Sequence, residues 1–101
     1  MRILFVITSI PFAKDYGTVT NLLKRLSGRG HRVSIFLTGN GVYYLIRPDA
    51  AALKDYTEKI YYCSHAAHQR GVEGHVSWAE SSSTYNLSKM MEDFDRVIVF
   101  N

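Results

Sequence analysis

The stretch YYCSHAAHQRG holds the chain's one cysteine, Cys63, followed by His65, His68 and Arg70. A thiol, two imidazoles and a guanidinium this close together suit several chemistries, and their spacing sorts them. A phosphatase or arsenate-reductase loop needs five residues between cysteine and arginine, wrapped so that backbone amides face an oxyanion. Here SHAAHQ intervenes, which is one residue too long, lacks glycine and reads as helix. Cys63, His65, His68 and His75 match no closed zinc pattern. His65 and His68 can share a helix face, but positions 63 and 65 point apart, and solvated surface histidines are the plainer reading. A Cys–His hydrolase would need an orienting third group and an oxyanion hole, and no spacing identifies either. Two readings stay open: a thiol presented for its own chemistry, or a small buried hydrophobe, since free cysteine is among the most buried residue types.

The surrounding elements bear on that choice. Ile3 to Thr8 is a continuous apolar, β-branched run, the pattern of a strand buried on both faces. After a loop with Pro11, Val19, Leu22, Leu23 and Leu26 recur at helical spacing. Ser27-Gly28-Arg29-Gly30 stops that helix, and Gly17 leaves its start undefined. Arg32 to Leu37 is a second strand, ending in the sharp loop Thr38-Gly39-Asn40-Gly41. Asp49 to Lys54 reads as a short helix capped by Asp49. Lys59 to Tyr62 reads as a third strand, Ser64 to Arg70 as a helix stopped by Gly71, and His75 to Trp78 as a weak fourth strand. Ser81-Ser82-Ser83 offers N-caps for a last helix with the stripe Leu87, Met90, Met91 and Phe94, and Arg96 to Phe100 closes the chain as a strand. This alternation predicts an α/β domain with a parallel sheet and helices on both faces.

Cys63 then falls where the third strand meets a helix. Carboxyl ends of strands gather ligand and catalytic groups in open parallel sheets, and free N–H groups at a helix start favour an anion such as a thiolate.

Composition narrows the classes. The 101 residues fit one domain, 1–101, and a hydrophobic share of 47% excludes a disordered chain. The net charge of +3 gathers at Lys24, Arg25, Arg29 and Arg32 around one helix end rather than in a long basic stripe, which argues against nucleic acid. One cysteine makes no intramolecular disulfide, so a reducing cytoplasm is the expected compartment. MRILFVITSIPFA is too short for a membrane span, carries no small-residue cleavage signal and reads as a buried strand. TSIPFAKDYG stands where a dinucleotide binder would carry G-x-G-x-x-G, which weakens a nucleotide- or flavin-binding reading.

The conjunction of four features resembles the DsrE/TusD-like sulfur-relay family. They are Val6-Ile7-Thr8 ending the first strand; Gly30-His31 before a strand that leads to Gly41-Val42-Tyr43; Cys63 followed by an alanine-containing helix ending in Arg70-Gly71-Val72; and a Leu- and Met-bearing helix followed by Asp95-Arg96-Val97-Ile98-Val99-Phe100. The resemblance implies a three-layer αβα sandwich on a five-stranded parallel sheet. It also implies a persulfide on Cys63 passed between donor and acceptor proteins, no cofactor and no metal, and assembly as a homo- or hetero-oligomer (dimer, trimer or hexamer). Gly41, Tyr43, His65 and Arg70 are the binding candidates beside Cys63, and the loop Gly39 to Tyr44 either lines the approach to it or is an ordinary turn. The segment Tyr44 to Glu58 departs from the family pattern, and His65 and His68 replace small apolar residues. Some members lack the cysteine and act only as structural subunits, which leaves an inert Cys63 in an assembly as the alternative. Tyr43, Tyr44, Tyr61, Tyr62 and Trp78 suit either core or interface.

Overall fold

The computed structural model describes residues 1–74 and 76–101. Its sheet has five strands, all parallel: β1 (Arg2–Ile7), β2 (Arg32–Leu37), β3 (Ile60–Cys63), β4 (Glu80–Ser82) and β5 (Arg96–Phe100), in the order β4-β3-β2-β1-β5. Helices α1 (Tyr16–Gly28), α2 (Ser64–Gln69) and α3 (Thr84–Met90) connect them. Two 3₁₀ segments, Gly39–Ile46 and Pro48–Tyr56, fill the β2–β3 crossover, and a third, Met91–Asp93, follows α3.

The strand order assigns the layers. Successive right-handed crossovers from β1 to β4 travel in one direction and put α1, the long 3₁₀ segments and α2 on one face. The return from β4 to β5 carries α3 across the other. Past their first residues β1 and β2 are buried at every position, as strands covered on both sides must be. Val19 and Leu23 of α1, Tyr44 and Leu53 complete the core on the first face. The α3 face is thinner. No residue of α3 is buried; Leu87, Met90 and Phe94 only half-bury against the core, and Val99 of β5 stays exposed.

Glycine ends α1 as expected. Gly30 takes φ +85°, which lets Gly30 N–H reach the Ser27 carbonyl and His31 N–H the Leu26 carbonyl. The helix starts at Tyr16, which places Gly17 in its first turn. Three expectations are corrected. The fourth strand is Glu80–Ser82, not His75 to Trp78. Val76 and Trp78 half-bury without joining the sheet, and His75 lies outside the described residues. The edge position explains the polar sequence, since an edge strand pairs on one side and is protected by charge. Ser81 and Ser82 therefore belong to β4, and Ser83 alone caps α3, its hydroxyl accepting from Asn86 N–H at 3.1 Å. Asp49 caps nothing. It lies in the first turn of a segment that starts at Pro48, and its carboxylate pairs with Arg47 at 2.7 Å.

Candidate functional site

Cys63 is the last residue of β3, and α2 begins at the next position with no loop between them. Only 5% of its surface is exposed, yet it lines a cavity of about 340 Å³ at the carboxyl end of the sheet. Three parts of the chain build the walls: Thr38 and Gly39 after β2; Ser64, His65, Ala66, Gln69 and Arg70 of α2 and its end; and Ser83 and Thr84 where β4 turns into α3.

Local sequence sets each wall. Ala66 and Ala67 are small enough to bury α2 against the 3₁₀ segment Gly39–Ile46. Gly71, at φ +68°, ends α2 in the manner of Gly30. Its N–H reaches the His68 carbonyl and Val72 N–H the Ala67 carbonyl, with Val72 and Ala67 both buried. The residue before that glycine is Arg70. Its Nε donates to Oδ1 of Asn40 and its Nη1 to the Ala66 carbonyl, both at 3.1 Å.

The expected site residues separate. Cys63, His65 and Arg70 meet at the cavity, with His65 exposed on its wall. Gly41 and Tyr43 are not part of its lining. Gly41 is buried where a Cβ would run into the backbone of Ile7, so glycine there allows close packing of the 3₁₀ segment on β1. Tyr43 half-buries against the core. Of the loop expected to line the approach, Gly39 does so, while Val42 and Tyr44 turn into the core. His68 also stands apart, its Nδ1 3.0 Å from Oε1 of Glu73. Among the described residues no three His, Cys, Asp or Glu side chains gather as metal ligands do. Nothing in the sequence marked Thr38, Gln69 or Thr84 as site residues, and Asn40 entered only as part of the loop Gly39 to Tyr44. Only the helix-cap signal at Ser81–Ser83 pointed towards the third wall.

A second polar cluster lies outside this cavity. The guanidinium of Arg47 stacks 3.5 Å from the Tyr16 ring centroid and pairs with Asp49. That hydrogen bond holds the Asp49 carboxyl below the usual carboxylate range. Beneath it Tyr44 is fully buried, its hydroxyl has no hydrogen-bond partner among the described residues, and desolvation raises its pKa well above the ordinary tyrosine value.

A model of the DsrE/DsrF-like family matches residues 1–100, and the chain belongs to that family. Among solved structures it is similar to the ychN protein from E. coli, with a TM-score of 0.80 at 13% identity over 99% of both chains. It is similar also to BT1422, a conserved protein of unknown function from Bacteroides thetaiotaomicron, with a TM-score of 0.80 at 11% identity over 98% of this chain and 94% of that one. At such identities these likenesses concern the fold. No curated protein matches the chain in sequence. No helix among the described residues is long and apolar enough to cross a membrane.

Proposed function

We propose that the protein is a sulfur carrier that takes up sulfane sulfur on Cys63 and hands it to a partner protein. The observation that carries this reading is the position of the lone cysteine. In a chain of the DsrE/DsrF-like family, it sits at the carboxyl end of a parallel strand and on the wall of an open cavity. The transfer needs no redox partner. The Cys63 thiolate attacks the outer sulfur of a donor persulfide; the donor's S–S bond breaks as a new one forms to Cys63; and the donor leaves as a thiolate. Repeating the exchange in the other direction, onto an acceptor thiolate, returns Cys63 to its starting state. Donor and acceptor proteins are therefore the partners, and the thin α3 face is where a homo- or hetero-oligomer would add cover.

Burial favours a second reading. A cysteine with 5% of its surface exposed also suits an inert core position in a purely structural subunit. Alkylation of the folded protein with iodoacetamide separates the two. A carrier reacts at Cys63 and, once blocked there, no longer gains sulfur from a persulfide donor. A structural subunit resists alkylation until it is unfolded.

A further inference from the structure

Arg70 brings a positive charge to the Cys63 cavity that no described residue neutralises. Its two hydrogen-bond acceptors among the described residues, Asn40 Oδ1 and the Ala66 carbonyl, are uncharged. Among the described residues no carboxylate lies within ion-pairing distance of it, whereas Arg2 and Arg32 share Glu58, and Arg47 has Asp49. The two bonds engage the guanidinium through Nε and Nη1, which fixes the plane of the fork instead of letting the charge swing into solvent. Asn40 comes from a different element than Arg70, the first turn of the 3₁₀ segment that follows β2, and is itself exposed.

We infer that Arg70 makes the Cys63 cavity selective for anionic sulfur compounds, and that Asn40 is the residue that positions it. This deepens, and rests on, the sulfur-carrier reading. In the exchange written above, the attacking thiolate and the donor persulfide are both negative, as are the new Cys63 persulfide and the departing thiolate. Two like charges must therefore share one small cavity before the bond forms and after it breaks, and a fixed guanidinium on the wall offsets their repulsion. Arg70 sets specificity through charge, and Asn40 acts through Arg70.

The test compares two alkylating agents of nearly equal size on the full chain: iodoacetate, an anion, and iodoacetamide, which is neutral. The ratio of their second-order rate constants at Cys63 cancels thiolate fraction and access, leaving the local field. Arg70→Gln is expected to lower the iodoacetate-to-iodoacetamide ratio by about threefold, the effect of one unit charge across a solvated cavity. Arg70→Lys restores part of it. Asn40→Ala lowers the ratio in the wild-type background and has no further effect in Arg70→Gln, because a positioning residue has nothing left to position. Melting curves confirm that the variants fold. The inference is overturned by an unchanged ratio in Arg70→Gln, by an Asn40→Ala effect that persists in the double variant, or by a Cys63 that reacts with neither reagent. No sulfur is transferred in this assay, so a protein that loads sulfur with an unmoved ratio loses only the anion selectivity, and one that shows the ratio effect without loading loses only the carrier role.

Discussion

Gly41→Ala tests how the cavity wall is held in place. A Cβ at position 41 would stand 2.7 Å from the carbonyl carbon of Ile7 and closer still to its oxygen. Both atoms are backbone at the end of a central strand, so no side chain can rotate away. Overpacking a core by one methyl usually costs about 1–3 kcal/mol, and a clash with backbone belongs at the upper end, ~3 kcal/mol. For a chain of this size that is a fall in Tm of about 12 °C or more. The displaced carbonyl also matters for the site, because Ile7 O accepts from Thr38 N–H at 3.1 Å, and Thr38 and Gly39 form one wall of the Cys63 cavity. Urea unfolding is expected to show a lower midpoint with an unchanged slope, and the alkylation rate of Cys63 is expected to change with it. An alanine variant that melts within a degree or two of the wild type would refute this account of Gly41.

Other predictions concern stability. Removing the unpartnered Tyr44 hydroxyl in Tyr44→Phe is expected to stabilise the fold by about 1 kcal/mol, seen as a raised Tm, because a buried polar group without a partner carries an uncompensated desolvation cost. The same residue sets an alkaline limit. Its folded pKa is raised by burial, so its contribution is fully present below the ordinary tyrosine value of 10.0 and is lost as pH rises from there towards the folded value; Tyr44→Phe flattens that decline in a pH series of denaturant midpoints. Ser83→Ala removes the α3 cap and is expected to cost about 1 kcal/mol, with amide exchange quickening first in α3.

What the sequence disclosed follows from how local each signal is. Arg32 to Leu37 and Arg96 to Phe100 were legible to the residue, because apolar, β-branched runs of strand length say both what they are and where they stop. Gly30 and Gly71 disclosed two helix ends for a local reason, the left-handed φ that a side chain resists. The sheet-edge strand Glu80–Ser82 was not legible, since only its pairing with Tyr61, Tyr62 and Cys63 makes it a strand, while Val76 and Trp78 nearby imitate an alternating pattern. The candidate site divides the same way. Cys63, His65 and Arg70 lie within eight residues and were found together. Asn40 reaches Arg70 across thirty positions of sequence through tertiary packing, and nothing in its own neighbourhood announces the contact. Gly41 drew notice as a glycine of a sharp loop and as a binding candidate, and the backbone it approaches closely is that of β1 rather than a ligand's.

The carrier role is tested most directly by the intact mass of the reduced protein after incubation with a persulfide donor, followed by fragmentation to locate any added mass. A carrier shows a gain of about one sulfur atom on Cys63, reversed by reductant and absent in Cys63→Ser. An unchanged mass, or a gain that persists in Cys63→Ser, would contradict that role.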